Sequence, residues 1–104
     1  MADMTWFKDG TADFADIAIT TNGIAQPLTG ATCTLECELF SGGSLPLTIT
    51  DESGGIVRAK PTLSQLNAAT IGVTKARVRV ALASGDVAYF PKQRFLSVAI
   101  EASP

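Results

Sequence analysis

Seven short segments of alternating apolar and polar residues, cut apart by glycine-rich turns, fill this chain from Asp13 onward. A period of two sends successive side chains to opposite faces, so each segment reads as a β-strand with one buried and one wet face. The nine glycines fall in the gaps between segments or beside them, where turns need positive φ or close approach. Strands at roughly 8–12-residue spacing with turn signals between them favour a sandwich over a parallel sheet. The pattern therefore predicts an all-β, seven-stranded antiparallel β-sandwich.

The strands are placed as follows. Asp13 to Thr20 puts Ala15, Ile17 and Ile19 on one face and Phe14, Asp16 and Ala18 on the other, and a turn at Asn22-Gly23 follows. Thr32 to Phe40 sends Cys33, Leu35, Cys37 and Leu39 inward and Thr34, Glu36 and Glu38 outward. Leu45 to Thr50 contains Pro46, which cannot donate a ladder hydrogen bond, so this strand belongs at a sheet edge. Ile56 to Ala59 is short. Val73 to Ala83 buries Ala76, Val78, Val80 and Leu82 and exposes a basic stripe of Lys75, Arg77 and Arg79. Val87 to Phe90 and Arg94 to Glu101 complete the set.

Only one stretch reads helical. Thr62-Leu63-Ser64-Gln65 resembles a capping box, and Leu63 and Leu66 share a side, which predicts one or two helical turns between Pro61 and Gly72 as a crossover. Residues 1–12, with Trp6 and Phe7 ahead of Asp9-Gly10, form an N-terminal arm or an edge strand, and residues 13–104 form a single domain. At 104 residues there is room for one core, thin in this case because 15 residues are alanine.

Charge is unevenly placed. Residues 1–52 carry eight acids and one base, whereas residues 53–104 carry seven bases and two acids, within a net charge of −2. Either strands from the two halves neutralise each other side by side, or the halves form opposite poles through which copies associate head to tail. No apolar run is long enough for a membrane helix, and the start of the chain carries Asp3 and no basic n-region. The expectation is synthesis in a cytoplasm without a signal peptide. Cys33 and Cys37 lie too far apart in one strand to bridge, and read as buried apolar thiols.

Histidine is absent, which removes Ser/His/Asp and Cys/His catalysis and the commonest metal ligand. Glu36 and Glu38 occupy the wet face of a strand, where no cleft is implied, and Asp51-Glu52-Ser53 lacks the regular oxygen ligands of a calcium loop. Gly42-Gly43 and Gly54-Gly55 precede no helix and lack the phosphate-loop lysine. The basic stripe has no interleaved aromatics on its face, which with the net charge speaks against nucleic acid. No catalytic residue, metal, cofactor, small-molecule substrate or membrane contact is expected. The expected interaction residues are Glu36, Glu38, Lys75, Arg77 and Arg79 on outer faces, and the pair Trp6 and Phe7. That pair either anchors in a neighbouring subunit or packs on its own domain.

The order of these signals carries a resemblance. An opening strand, Asn22-Gly23, Leu28-Thr29-Gly30-Ala31-Thr32 leading into a strand, Ile49-Thr50-Asp51 with Gly54-Gly55-Ile56-Val57, the Leu63-to-Gly72 crossover, Ala76-Arg77-Val78-Arg79-Val80 and Ser84-Gly85-Asp86 stand in sequence. This arrangement resembles the N-terminal immunoglobulin-like domain of phage baseplate upper proteins over roughly residues 13–101. The resemblance implies an immunoglobulin-like sandwich with one short helical crossover. It also implies a bacteriophage virion structural protein of the tail, baseplate, fibre adaptor or head decoration, acting by assembly with other virion proteins and copies of itself. Members usually continue into receptor-binding domains, whereas this sequence stops at Pro104, as expected of a stand-alone subunit. The alternative is a glycan-binding or host-adhesion module, for which Tyr89, Phe90 and Trp6 are the candidate stacking residues.

Overall fold

The computed structural model describes residues 3–91 and 94–102; Met1 and Ala2 of the expected arm, and the last two residues of the expected domain, lie outside the described residues. The protein is mostly β, with one short helix. In chain order the strands are β1 (Met4–Phe7), β2 (Ala15–Ala18), β3 (Thr20–Thr21), β4 (Ile24–Ala25), β5 (Thr32–Glu36), β6 (Ser44–Pro46), β7 (Thr48–Asp51) and β8 (Ile56–Ala59). After helix α1 (Leu63–Ala68) come β9 (Gly72–Ala81), β10 (Val87–Phe90) and β11 (Leu96–Glu101).

The large sheet runs β1-β11-β9-β5-β6, with β10 also paired to β9, and curls into a half-barrel. A three-stranded sheet, β2-β8-β7, packs its inner residues Ile17, Val57 and Ala59 into the same core as Leu35, Leu45, Val78, Val80, Val98 and Ile100. The hairpin β3-β4 stands apart. Its two-residue turn has Asn22 at φ 52° and Gly23 at φ 79°, the doubly positive geometry that the twist of a tight hairpin favours.

The expectation of seven antiparallel strands is corrected in two respects. First, β1 pairs β11 in parallel, so the large sheet is mixed. The register sets Met4 beside Val98 and Trp6 beside Ile100, all four buried, so the two alternations run in phase on the core side. Second, two expected strands are each divided between sheets: Leu45 to Thr50 into β6, paired with β5, and β7, paired with β8, and Asp13 to Thr20 into β2, paired with β8, and β3, paired with β4. Leu47 N–H donates to Cys33 O at 3.0 Å at the switch, which ties one ladder to the other. Pro46 does sit on an edge strand, as expected. The segment from Thr32 to Phe40 also leaves the ladder early. Phe40 N–H donates to Cys37 O at 3.2 Å and folds the chain into a turn, yet Cys37, Leu39 and Phe40 stay buried.

Helix α1 carries the anticipated capping box: Gln65 N–H donates to Thr62 Oγ1 at 3.2 Å, and Thr62 N–H donates to Gln65 Oε1 at 2.8 Å. Leu66 is fully buried, but Leu63 is exposed and does not share that contact. The helix end is held by Lys8, whose Nζ donates to Asn67 O at 2.9 Å and Ala69 O at 2.5 Å, where a cation also meets the negative end of the backbone dipoles. At Gly55 the backbone has φ 69°, and a Cβ would lie 2.8 Å from the carbonyl oxygens of both Ile19 and Gln26; only glycine fits this crossing.

Candidate functional site

Strand β9 lies inside the large sheet, and its alternation buries Ala76, Val78 and Val80 while turning Lys75, Arg77 and Arg79 outward. On one side β5 sets Glu36 opposite Arg77 and Thr34 opposite Arg79. The other side is shared. β11 pairs the first half of β9, with Ser97 opposite Lys75 and Leu96 opposite Ala76, and β10 pairs the second half, with Tyr89 opposite Arg79. Phe95, one residue before Leu96, thereby comes alongside Arg77.

The result is an aromatic and basic face. The guanidinium carbon of Arg77 lies over the Phe95 ring, 4.1 Å from its centroid, and Lys75 Nζ lies 5.4 Å from the same centroid. Both distances are within the range of cation–π attraction. Phe95 is 47% exposed and Tyr89 43%. With Glu36, Lys75, Ala76 and Arg77 these rings line an open concavity of about 250 Å³.

The strands bearing Glu36 and the basic stripe are neighbours, but no carboxylate of β5 comes within 4 Å of a cation of β9 among the described residues. Arg77 is drawn over Phe95 instead, and its Nε is buried without an acceptor. Glu38 has left the ladder and accepts from Thr74 Oγ1 at 2.8 Å. The reading of a stripe without aromatics is therefore corrected: the rings arrive from neighbouring strands. The sequence does carry a signal for Phe95: the alternation of Leu96, Val98 and Ile100, all buried, sets Phe95 on the outer side.

Trp6 lies elsewhere and is 1% exposed. Its ring meets Phe40 edge-on, with centroids 6.1 Å apart and planes at 70°, and its Nε1 donates to Asp13 O at 3.3 Å. Of the two expectations for this residue, packing on its own domain is the one realised; it presents no surface for a neighbour or a sugar. Phe7 and Phe90 are half-buried, the latter against the core.

A second charged cluster lies on β2 and β8. Arg58 makes a two-pronged contact with Asp16, Nε to Oδ1 at 2.8 Å and Nη2 to Oδ2 at 3.1 Å, and its guanidinium carbon lies 3.9 Å above the Phe14 ring. The hydrogen bond from Arg58, aided by its charge, holds the Asp16 carboxyl below the usual carboxylate range. Asp3 and Arg94 approach to 3.7 Å. Acids of the first half thus lie beside bases of the second. This favours neutralisation between strands over opposite poles.

Asp51 closes its own turn, accepting from Gly54 N–H at 2.9 Å and Ser53 Oγ at 3.3 Å. Cys33 and Cys37 are free and buried, and burial pushes both thiols up, so little reactive thiolate is present at neutral pH. Among the described residues no helix is long and apolar enough to cross a membrane, and no group of three or more histidine, cysteine, aspartate or glutamate side chains is placed to hold a metal ion.

No protein-family model matches the chain, and no curated protein matches it.

Proposed function

We propose that this chain is a structural subunit of a bacteriophage particle, of the tail, baseplate, fibre-adaptor or head-decoration kind, working through protein contact alone. The observation that carries the assembly reading is the outer face around β9: the exposed rings of Tyr89 and Phe95 beside three cations of β9 that, among the described residues, pair with no carboxylate. Exposed tyrosine, phenylalanine and arginine in one patch are the composition of protein interfaces. The placement in a phage rests on the ordered resemblance of residues 13–101 to baseplate upper proteins. In this reading the two packed sheets are a divergent immunoglobulin-like sandwich whose first strand has moved to pair in parallel with the last.

The test is incorporation. An epitope-tagged copy supplied during infection is recovered in stoichiometric amount from purified particles by mass spectrometry; its absence from them overturns the reading. A second reading, a glycan-binding or host-adhesion module, draws support from Tyr89 and Phe95 standing exposed beside Glu36 and Lys75, since sugars stack on rings flanked by polar groups. A glycan array carrying neutral and acidic sugars decides that one, and a blank array removes it.

A further inference from the structure

We propose that the concavity on the outer face of β9 docks a partner polypeptide through a carboxylate next to an aromatic or large aliphatic side chain. Arg77 and Lys75 receive the carboxylate, while Phe95 and Tyr89 receive the apolar group. The inference rests on the assembly reading above and names the chemistry of the contact.

Three features argue for this occupant. The first is size: about 250 Å³ is below the roughly 300–1,000 Å³ of sites that enclose a whole small molecule, and holds one or two side chains of a larger body. The second is charge. Among the described residues, Lys75, Arg77 and Arg79 form no side-chain hydrogen bond or ion pair, so this face of a chain with net charge −2 is locally cationic and unneutralised. Arg77 Nε is buried, but the guanidinium over the ring still carries its two terminal nitrogens, whose in-plane N–H donors match a carboxylate in two-pronged fashion. The third is the lone acid. Glu36 lines the same concavity and offsets part of the cationic charge, leaving enough for a single carboxylate, and three cations fall short of the ~6–10 phosphate contacts of strong nucleic-acid binders. A neutral sugar fits less well, because Arg77 and Lys75 already lie over Phe95 and leave Tyr89 as the free stacking platform.

The experiment is a selection from a random displayed peptide library, panned on the folded chain after depletion on Arg77→Gln. The expected survivors carry aspartate or glutamate beside phenylalanine, tyrosine, tryptophan or leucine. A synthetic consensus peptide, followed by fluorescence anisotropy, loses affinity about tenfold or more on Arg77→Gln, and equally on replacing its own acid by the amide. Phe95→Ala weakens it as well. Both positions are on the wet face, so both variants melt with the parent; should Arg77→Gln melt early, Lys75→Gln repeats the measurement at a more exposed cation. Survivors without an acid, no enrichment over the depletion step, or displacement of the peptide by oligothymidylate or a neutral oligosaccharide each overturn the proposal. So does self-association of the chain through this face, seen as loss of peptide binding with rising protein concentration. A failed selection with normal particle incorporation removes the docking chemistry and leaves the assembly reading standing. A chain that selects acidic peptides but is absent from particles does the reverse.

Discussion

Trp6 is the largest fully buried side chain, and it comes from a four-residue strand at the start of the described chain. Its removal takes away the edge-on contact with Phe40 and leaves a void between β1 and the turn after β5. We expect Trp6→Ala to cost about 3–5 kcal/mol, a large share of the roughly 5–15 kcal/mol that holds such a domain together. Urea unfolding measures it, and a loss under about 1 kcal/mol would show that the strand is not integral to the core. Asp16 supports a pH prediction. Its carboxyl is held down in the folded state, so its stabilising contribution is in place above the ordinary carboxylate pKa and is lost as pH falls through the lowered value. Asp16→Asn should therefore weaken the fold at neutral pH, with the gap to the parent closing below about pH 4. A gap independent of pH in acid denaturation would refute the pairing with Arg58. At this scale the sequence spoke clearly about which way side chains point. It was silent on which ring meets which cation: Arg77 and Phe95 are 18 positions apart, and their contact exists only because β11 lies against β9.

Helix α1 has six residues, too few to be stable alone, and depends on its cap, on Leu66 in the core and on Lys8 at its far end. Thr62→Ala should cost about 0.5–2 kcal/mol, and Gln65→Ala should then add little, because the two side chains satisfy each other's backbone groups. A double-mutant cycle on thermal midpoints reads this, and full additivity would contradict the reciprocal box. The cap was legible because its chemistry is local, and so was the turn at Asn22-Gly23, though not the short strands β3 and β4 that it joins. β8 and β10 have the boundaries that alternation and turn residues mark. Where the reading failed, the deciding partner was distant. Alternation runs through Leu45 to Thr50 without a break, yet the chain changes sheets at Leu47, because a two-residue period encodes burial and not the identity of the neighbouring strand. The same holds for Cys37, Leu39 and Phe40, buried by a turn where a longer ladder was expected.

Over the whole molecule, 40 Å along its longest axis and 24 and 21 Å across, the large sheet has edges at β1 and β6. Leu47 N–H points to β5, so the preceding Pro46 nitrogen points away from the sheet, where any other residue would offer a free N–H to a passing strand. Proline there blunts the edge. Pro46→Thr should therefore raise self-association at a given concentration without unfolding the domain, as read by sedimentation velocity; an unchanged profile would show that the edge is guarded by something else. The interleaving of acids and bases at Asp16–Arg58 and Asp3–Arg94 follows from the same topology, since strands from opposite halves of the chain end up adjacent.

The parallel pairing of β1 with β11 has a temporal side. Asp3 Oδ2 accepts from the amide of Ser97, 94 positions later. On a ribosome, Met4, Trp6 and their neighbours emerge long before β11, and stay apolar and unpaired until the strand that receives them has been made. Local hairpins close early, but this last seam closes only by bringing the two ends of the described chain together, a contact of the greatest possible loop length and hence slow to form. Truncation anywhere in β11 thus strands the first strand as surely as it removes the last.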